Sequence, residues 1–292
     1  MRYKIKHITE YTYQDAVGLC HNRLCLTPST NPHQKCISSD IRISPTPDSF
    51  LYRQDYFGNT VAFFSSYRDH DHLEIATVSE VELVGRREAD LAVASPVLWQ
   101  EVQQRVAVDD KDDYEIVQYT LPSQYVTISS EIKKFCEGCF VEDATLWSVC
   151  NTLMQKIHRT IEFKPGFTTV NTPVEEVLTN KKGVCQDFAH LMISCLRNMG
   201  LAARYVSGYI ETIPPPGKEK LQGTDASHAW VAVFFPSIGW IEFDPTNSLM
   251  PSDNHITVAF GRDYHDVAPI KGIVFSSGKQ SLTVKVDVNR ID

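Results

Sequence analysis

The chain has 292 residues, 42% of them hydrophobic and 22% charged, with 28 basic against 36 acidic side chains and a net charge of -8. That length leaves room for two domains or one elaborated one with a sizeable core, and the composition is that of an ordinary globular protein. The acidic balance excludes a broad phosphate-binding surface, which argues against a nucleic-acid partner, and no stretch has the length of a membrane span. The N-terminus, MRYKIKHITEYTYQ, alternates polar and apolar residues without the apolar run of a secretory signal, so a cytoplasmic location is the default expectation. Eight cysteines, at 20, 25, 36, 136, 139, 150, 185 and 195, are too scattered for the disulfide framework of a small secreted domain. Cys136 and Cys139 form a lone Cys-x-x-Cys with no second pair or His-x-x-x-His partner, and read as two ordinary thiols rather than a zinc site.

The first hundred residues read as β structure. Tyr3 and Ile5 alternate with Lys4 and Lys6, and Ile41 and Ile43 flank Arg42. Leu73, Ile75, Thr77, Ser79, Val81 and Leu83 alternate with Glu74, Ala76, Val78, Glu80 and Glu82. Pro28, Pro32, Pro45, Pro47 and the Gly58–Asn59 pair punctuate these runs, predicting about six or seven short antiparallel strands in a sandwich or half-barrel. His70 and His72, interleaved with Asp69 and Asp71, would share one face of a strand and make a metal pair conceivable; a solvated loop between strands is the preferred expectation.

Near Ser95–Pro96 the period changes from two to helical, with serine placed as an N-cap before a first helical proline, so a domain boundary falls at about 88 to 95. A helix is predicted over about 143–160, where Leu146, Trp147, Cys150, Leu153, Met154, Ile157 and Ile161 make one apolar stripe. After the Lys164–Pro165–Gly166 turn, Thr172–Pro173–Val174–Glu175 has the form of a capping box opening a short helix towards Lys181. The loop 164–172 would then have fixed ends and could wall a cleft.

The next helix organises the rest of the chain. Phe188, Leu191, Met192, Cys195, Leu196 and Met199 recur at helical spacing, and Gly200 is placed to end it. Cys185 sits in its first turn, near the positive end of the helix dipole and beside backbone N–H groups without helical partners. Both features favour a thiolate, and the same N–H groups can stabilise an oxyanion. The run LAARYVSGYI reads as a strand, 211–224 as a surface loop rich in proline and glycine, and Ser227 to Thr246 as a hairpin turning at Pro236 to Gly239. His228 heads one strand of that hairpin and Asp244 ends the other, where Pro245 stops the ladder.

A thiol at a helix start, a histidine at a strand start and a carboxylate on the adjacent strand are the parts of a Cys-His-Asp relay. Sulfur attacks a carbonyl, imidazole takes and returns the proton, and the carboxylate holds the tautomer and stabilises the cation. His190, the rival base, lies about 140° round the helix from Cys185, and Asp187 about 200°, where its charge favours the helix start. His158, His255 and His265 lack a comparable setting. Arg204, inside an apolar run, should not be buried alone, and a structural pairing with a carboxylate is expected.

The stretches Gly183-Val184-Cys185-Gln186-Asp187-Phe188-Ala189-His190, Ala203 to Tyr209, Ser227-His228-Ala229-Trp230 and Gly239-Trp240 through Asp244-Pro245-Thr246-Asn247 resemble the transglutaminase-like superfamily, whose bacterial members are often described as cysteine proteases. Tyr11 through Arg23-Leu24 and Asp55-Tyr56-Phe57-Gly58-Asn59 resemble the β-rich N-terminal region of these bacterial proteins, and Gly261 to Pro269 their C-terminal signature. The resemblance implies an α+β fold, with an N-terminal antiparallel β-sandwich-like domain followed by a papain-like core. It implies Cys185 as nucleophile, His228 as base and Asp244 as orienter. Gln186 and Trp230 are candidates for the oxyanion region and cleft, and the backbone N–H of Cys185 is the first oxyanion donor. Trp147, upstream of the cysteine as the family's indole donor is, reads as core, so the second donor stays unassigned. Ala232 stands where many relatives carry an acidic residue.

The tail predicts a hairpin of 271–275 and 281–289, which either closes the gap between domains or extends the first sheet. The expected organisation is an N-terminal β domain over 1–92, the core over 93–255 and a C-terminal β extension over 256–292. The expected activity is cysteine-dependent acyl transfer on a protein or peptide substrate, with hydrolysis favoured over amine transfer and with no cofactor, metal, nucleic acid or membrane. Oligomeric state is left open. A non-catalytic binding or scaffolding role is the alternative, and a metal site of Cys185, His190 and His228 a weaker one.

Overall fold

A computed structural model describes residues 1–292 except 86–87, 108–113, 213–225, 237 and 276–277. The chain opens with six strands: β1 (Arg2–Val17), β2 (Leu19–Leu24), β3 (Gln34–Ser44), β4 (Ser49–Gln54), β5 (Thr60–Ser66) and β6 (His70–Leu83). Helices α1 (Glu88–Ala94), α2 (Trp99–Ala107), α3 (Tyr114–Val117), α4 (Ser130–Cys136) and α5 (Leu146–Thr160) follow. Next come β7 (Glu162–Phe163), α6 (Val174–Asn180), β8 (Lys182–Gly183) and α7 (Cys185–Asn198). The chain ends with β9 (Ala203–Ile210), β10 (Ala226–Phe235), β11 (Gly239–Phe243), β12 (His255–Gly261), α8 (Tyr264–Val267), β13 (Ile270–Phe275) and β14 (Gln280–Arg290).

Two antiparallel sheets, ordered β14-β1-β6-β3 and β13-β2-β5-β4, face each other across a core that includes Tyr13, Leu24, Phe64, Leu73 and Ile75. The alternation read in β6 is its burial pattern: Leu73, Ile75, Thr77, Ser79, Val81 and Leu83 all point inward. His70 and His72 belong to this strand rather than to a loop; His70 is buried, its Nδ1 2.8 Å from the Arg68 carbonyl, while His72 is exposed. Rather than pairing with each other as a hairpin, the two tail strands extend different sheets, β13 pairing with β2 and β14 with β1.

The second half is an antiparallel sheet, β11-β10-β9-β12, with helices packed on it. The hydrophobic stripe of α7 lies fully buried against α5 and the sheet, in a core that also takes Tyr3, Ile5, Val286 and Val288 from the first sheet. The two halves therefore share one apolar interior. Gly200, at φ +71, ends α7 in the left-handed conformation that glycine adopts without steric cost.

Three helix starts differ from the sequence expectation. Ser95 caps nothing: α1 has already formed before it, and α2 begins only at Trp99. Helix α5 starts at Leu146 because Thr145 is its N-cap, accepting from the Ser148 N–H, and Asp143 just upstream is left-handed at φ 57. Pro173 rather than Thr172 is the N-cap of α6, since the Thr172 hydroxyl accepts from the Thr169 N–H at 2.9 Å instead. Most of the expected surface loop at 211–224 lies outside the described residues. No helix among the described residues is long and apolar enough to cross a membrane.

Candidate active site

Cys185 is the first residue of α7, following Val184 in extended conformation. The Val184 carbonyl accepts from the N–H groups of Asp187 (2.8 Å) and Phe188 (3.1 Å), so those of Cys185 and Gln186 are the first-turn donors with no helical acceptor. Asp187 fastens the turn from the other side. Its Oδ2 accepts from the Val184 N–H at 2.7 Å and from the Thr168 hydroxyl at 2.6 Å. Burial pushes the Asp187 carboxyl up, against these two bonds. Gly183 is required beside it, because a Cβ there would meet the Asp187 side chain at 2.8 Å.

Strand β10 carries the candidate base. His228 is 8% exposed, and its Nε2 lies 2.7 Å from Oδ2 of Asp244, which is wholly buried just beyond the end of β11. With Nε2 so engaged, Nδ1 is the ring nitrogen left to meet the Cys185 thiol, which lines the same cavity. Burial alone would disfavour the imidazolium. The hydrogen bonds and charges of Asp244 and Cys185 outweigh it and hold the ring's pKa up at about 10. Burial likewise opposes ionisation of Asp244, yet its hydrogen bonds to the histidines hold it well below the usual carboxylate range.

Five donors converge on that carboxylate. Oδ1 accepts from the backbone N–H groups of Thr246 (2.9 Å) and Asn247 (3.1 Å). Oδ2 takes His228, the Asn247 side-chain amide at 2.7 Å and, on a third side, Nε2 of His255 at 3.1 Å. His255 and Asn247 are the components the sequence reading missed. Asn247 lay within the quoted Asp-Pro-Thr-Asn run without a role. His255 comes from the start of β12, at the opposite edge of the sheet from β11, and no local pattern marks it.

Cys185, Gln186 and His228 line a cavity of about 300 Å³, together with Tyr205, whose phenol burial keeps protonated. Gln186 is there as expected, its side-chain amide donating to the Val170 carbonyl at 3.2 Å. Trp230 is not. Its ring is fully buried in a cluster with Val206 and Ala232, and its indole N–H is spent on Glu242 at 2.7 Å, so it can serve no oxyanion. It packs instead against both histidines, edge-on to His255 at 5.2 Å and 5.8 Å from His228. Trp147 packs on the main core and is absent from the cavity wall, as is the loop 164–172, which only braces the start of α7.

The rivals are accounted for. His190 stacks on Tyr125 and meets the tilted ring of Tyr205, and its Nε2 accepts from the Tyr264 N–H at 3.2 Å. Burial pulls its pKa down to about 4, leaving a neutral ring, and among the described residues the group of ligand atoms at the site is His228, Asp244 and His255, without His190 or Cys185. Arg204, expected beside a carboxylate, has its guanidinium between the Trp240 and Phe260 rings, 4.3 and 3.8 Å from their centroids. Burial lowers its pKa to about 10, with Tyr119 and Glu242 opposing. Among the described residues, His228, Asp244 and His255 place ligand atoms within 4.8 Å of one another. Their 2.7 and 3.1 Å separations are hydrogen-bond lengths, and the carboxylate oxygen between them already accepts three bonds.

Residues 3–82 match the family model of the bacterial transglutaminase-like N-terminal region, and 140–245 that of the transglutaminase-like superfamily, which spans Cys185, His228 and Asp244. The chain is 35% identical to an uncharacterized protein of Mycobacterium tuberculosis, covering 98% of this chain and 92% of that protein. It is 31% identical to one of Mycobacterium leprae, covering 99% of each. Over 89 residues it is 33% identical to a protein-glutamine gamma-glutamyltransferase of Pseudomonas aeruginosa, 30% of this chain and 13% of that one. A crystal structure of a "Putative Cysteine Protease" from Cytophaga hutchinsonii shares the fold at a TM-score of 0.76, with 20% identity over 100% of this chain and 91% of that one. The chain belongs to the transglutaminase-like superfamily of cysteine-dependent acyltransferases and proteases, and carries that family's bacterial N-terminal region.

Proposed function

We propose that the protein cleaves amide bonds of a peptide or protein substrate through a thioester on Cys185, with His228 as acid and base and Asp244 as the group that orients it. The observation that carries this reading is the buried 2.7 Å bond from His228 Nε2 to Asp244, with His228 and Cys185 lining one cavity. An imidazolium held up at about 10 is a proton store at neutral pH.

In the forward step Sγ bonds to the amide carbon, and the carbonyl oxygen gathers charge against the Cys185 N–H, with the Gln186 N–H adjacent. The C–N bond then breaks as His228 hands its proton to the leaving nitrogen. Deacylation reverses the roles: His228 removes a proton from the incoming nucleophile, and Sγ leaves as thiolate. Water as that nucleophile makes the protein a peptidase or amidase, and this is the favoured outcome because no dedicated amine channel can be argued. An amine would make it a transglutaminase, the rival supported by the name of the Pseudomonas aeruginosa relative.

The test is intact-mass spectrometry after mixing with activated and unactivated amide substrates, with and without a primary amine. The expected result is a transient acyl adduct on the wild type, none on Cys185→Ala, and release as the free acid even when amine is present. Release as the amide would favour transfer; an adduct that survives Cys185→Ala would refute the assignment.

A further inference from the structure

The catalytic core does not close its own cleft. Opposite Cys185 and His228 the cavity is walled by the first sheet: Thr9 and Tyr11 of β1, and Leu282 and Val284 of β14, with Ile270 of β13 beside them. Register explains the arrangement. Tyr11 pairs with Leu282, Thr9 with Val284 and His7 with Val286, so alternate residues of the two strands form one continuous face. Along β14 that face is apolar throughout, at 282, 284, 286 and 288, while Ser281, Thr283, Lys285 and Asp287 take the other. Val286 and Val288 are 1% and 0% exposed in the core, yet Leu282 and Val284 are 55% and 47% exposed. The apolar stripe therefore runs past the end of the core and continues as the wall facing the nucleophile.

Away from the nucleophile, the described wall of the same cavity carries no charged side chain to pair with a charged guest. None of its lining residues among those described is an aspartate, glutamate, lysine or arginine. His7 does not supply a cation, since its Nδ1 is 2.8 Å from the Tyr209 hydroxyl, its Nε2 is 3.0 Å from Thr9 Oγ1, and burial lowers its pKa to about 4. The charge of His228 is already balanced by Asp244. An ammonium or carboxylate seated against Leu282 and Val284 would lose water without gaining a charged partner among the described residues, whereas an apolar side chain would cover both.

We infer that the acyl donor is a peptide segment carrying a bulky uncharged apolar side chain next to the attacked carbonyl, seated on Leu282, Val284 and Tyr11, so that the N-terminal β domain with its C-terminal strand sets specificity. This rests on the reading of Cys185 as the acyl-accepting nucleophile.

The test uses the full chain and four otherwise identical acylated aminocoumarin amides, with Leu, Phe, Asp or Lys at that position. The expected kcat/KM for Leu and Phe exceeds that for Asp and Lys by about 10-fold or more. In the doubly substituted Leu282→Lys, Val284→Lys chain, the Leu-to-Asp ratio is expected to fall by about 10-fold or more, a ratio that simple loss of active protein would not move. Equal rates for all four amides, or an unchanged ratio in the variant, would overturn this inference while leaving the nucleophile standing. Failure of every amide to acylate the protein, with Cys185 also unreactive to iodoacetamide, would remove the nucleophile reading and this inference with it.

Discussion

Asp244→Asn is expected to cost about 10³- to 10⁴-fold in kcat/KM while leaving substrate binding nearly intact. The carboxylate accepts from His228 Nε2, and in the proposed mechanism this leaves Nδ1 to take the thiol proton. An amide at 244 can present its NH2 to Nε2, inverting the tautomer, and it has no charge with which to hold an imidazolium. The consequence for pH follows from the direction of each shift. His228 is raised from 6.5 to about 10, so its share of stability is complete below about 6.5 and lost as pH rises through about 10. Asp244 is lowered from 3.8, so its share is present above that value and lost as pH falls below it. Thermal melts of wild type and variant should therefore differ most between about pH 4 and 6.5 and converge towards pH 10. A gap that widens with rising pH would contradict the pairing. His255→Gln, which keeps a donor near Oδ2, is expected to lose far less activity than Asp244→Asn.

Gly208→Ala should damage the fold itself. A Cβ on Gly208 would lie 2.2 Å from the Ile256 carbonyl oxygen and 2.4 Å from the edge of the Trp230 ring. Neither neighbour can retreat. Ile256 belongs to β12, paired to β9 at this point, and Trp230 is fully buried. The expected cost is about 3 kcal/mol or more, read as a lower urea midpoint with an unchanged m-value. Activity should fall with it, because Trp230 and Ile256 also carry the surroundings of His228 and His255. Wild-type stability in this variant would mean that the β9–β12 packing is looser than described.

What was legible in the sequence was local. Period two gave β6, period 3.6 gave α7 with Gly200 at its end, and the turn before Gly239 gave the hairpin that carries His228 and Asp244. The place of Trp230 was available too: it shares strand parity with Ala232, on the opposite face of the sheet from Val231 and Val233, which join the core containing α7. The rest was carried by topology. His255 reaches Asp244 only because β12 adds to β9 on the far edge of the sheet, and strand order leaves no periodic mark. The cleft wall is hidden for the same reason, since β1 and β14 meet across some 270 residues of chain. Helix starts slipped where one threonine competed for another backbone donor, as Thr172 does with Thr169.

The most direct measurement is the rate of alkylation by iodoacetamide at each of the eight cysteines, resolved by peptide mass and compared between wild type and His228→Ala. Cys20, Cys25, Cys136, Cys139, Cys150 and Cys195 are all buried, so Cys36 is the one partly exposed competitor. The account predicts that Cys185 reacts first in the wild type at pH 6 to 7, and that removal of the imidazole slows it by about 10-fold or more. Alkylation of Cys185 no faster than of Cys36, or unaffected by His228→Ala, would contradict it.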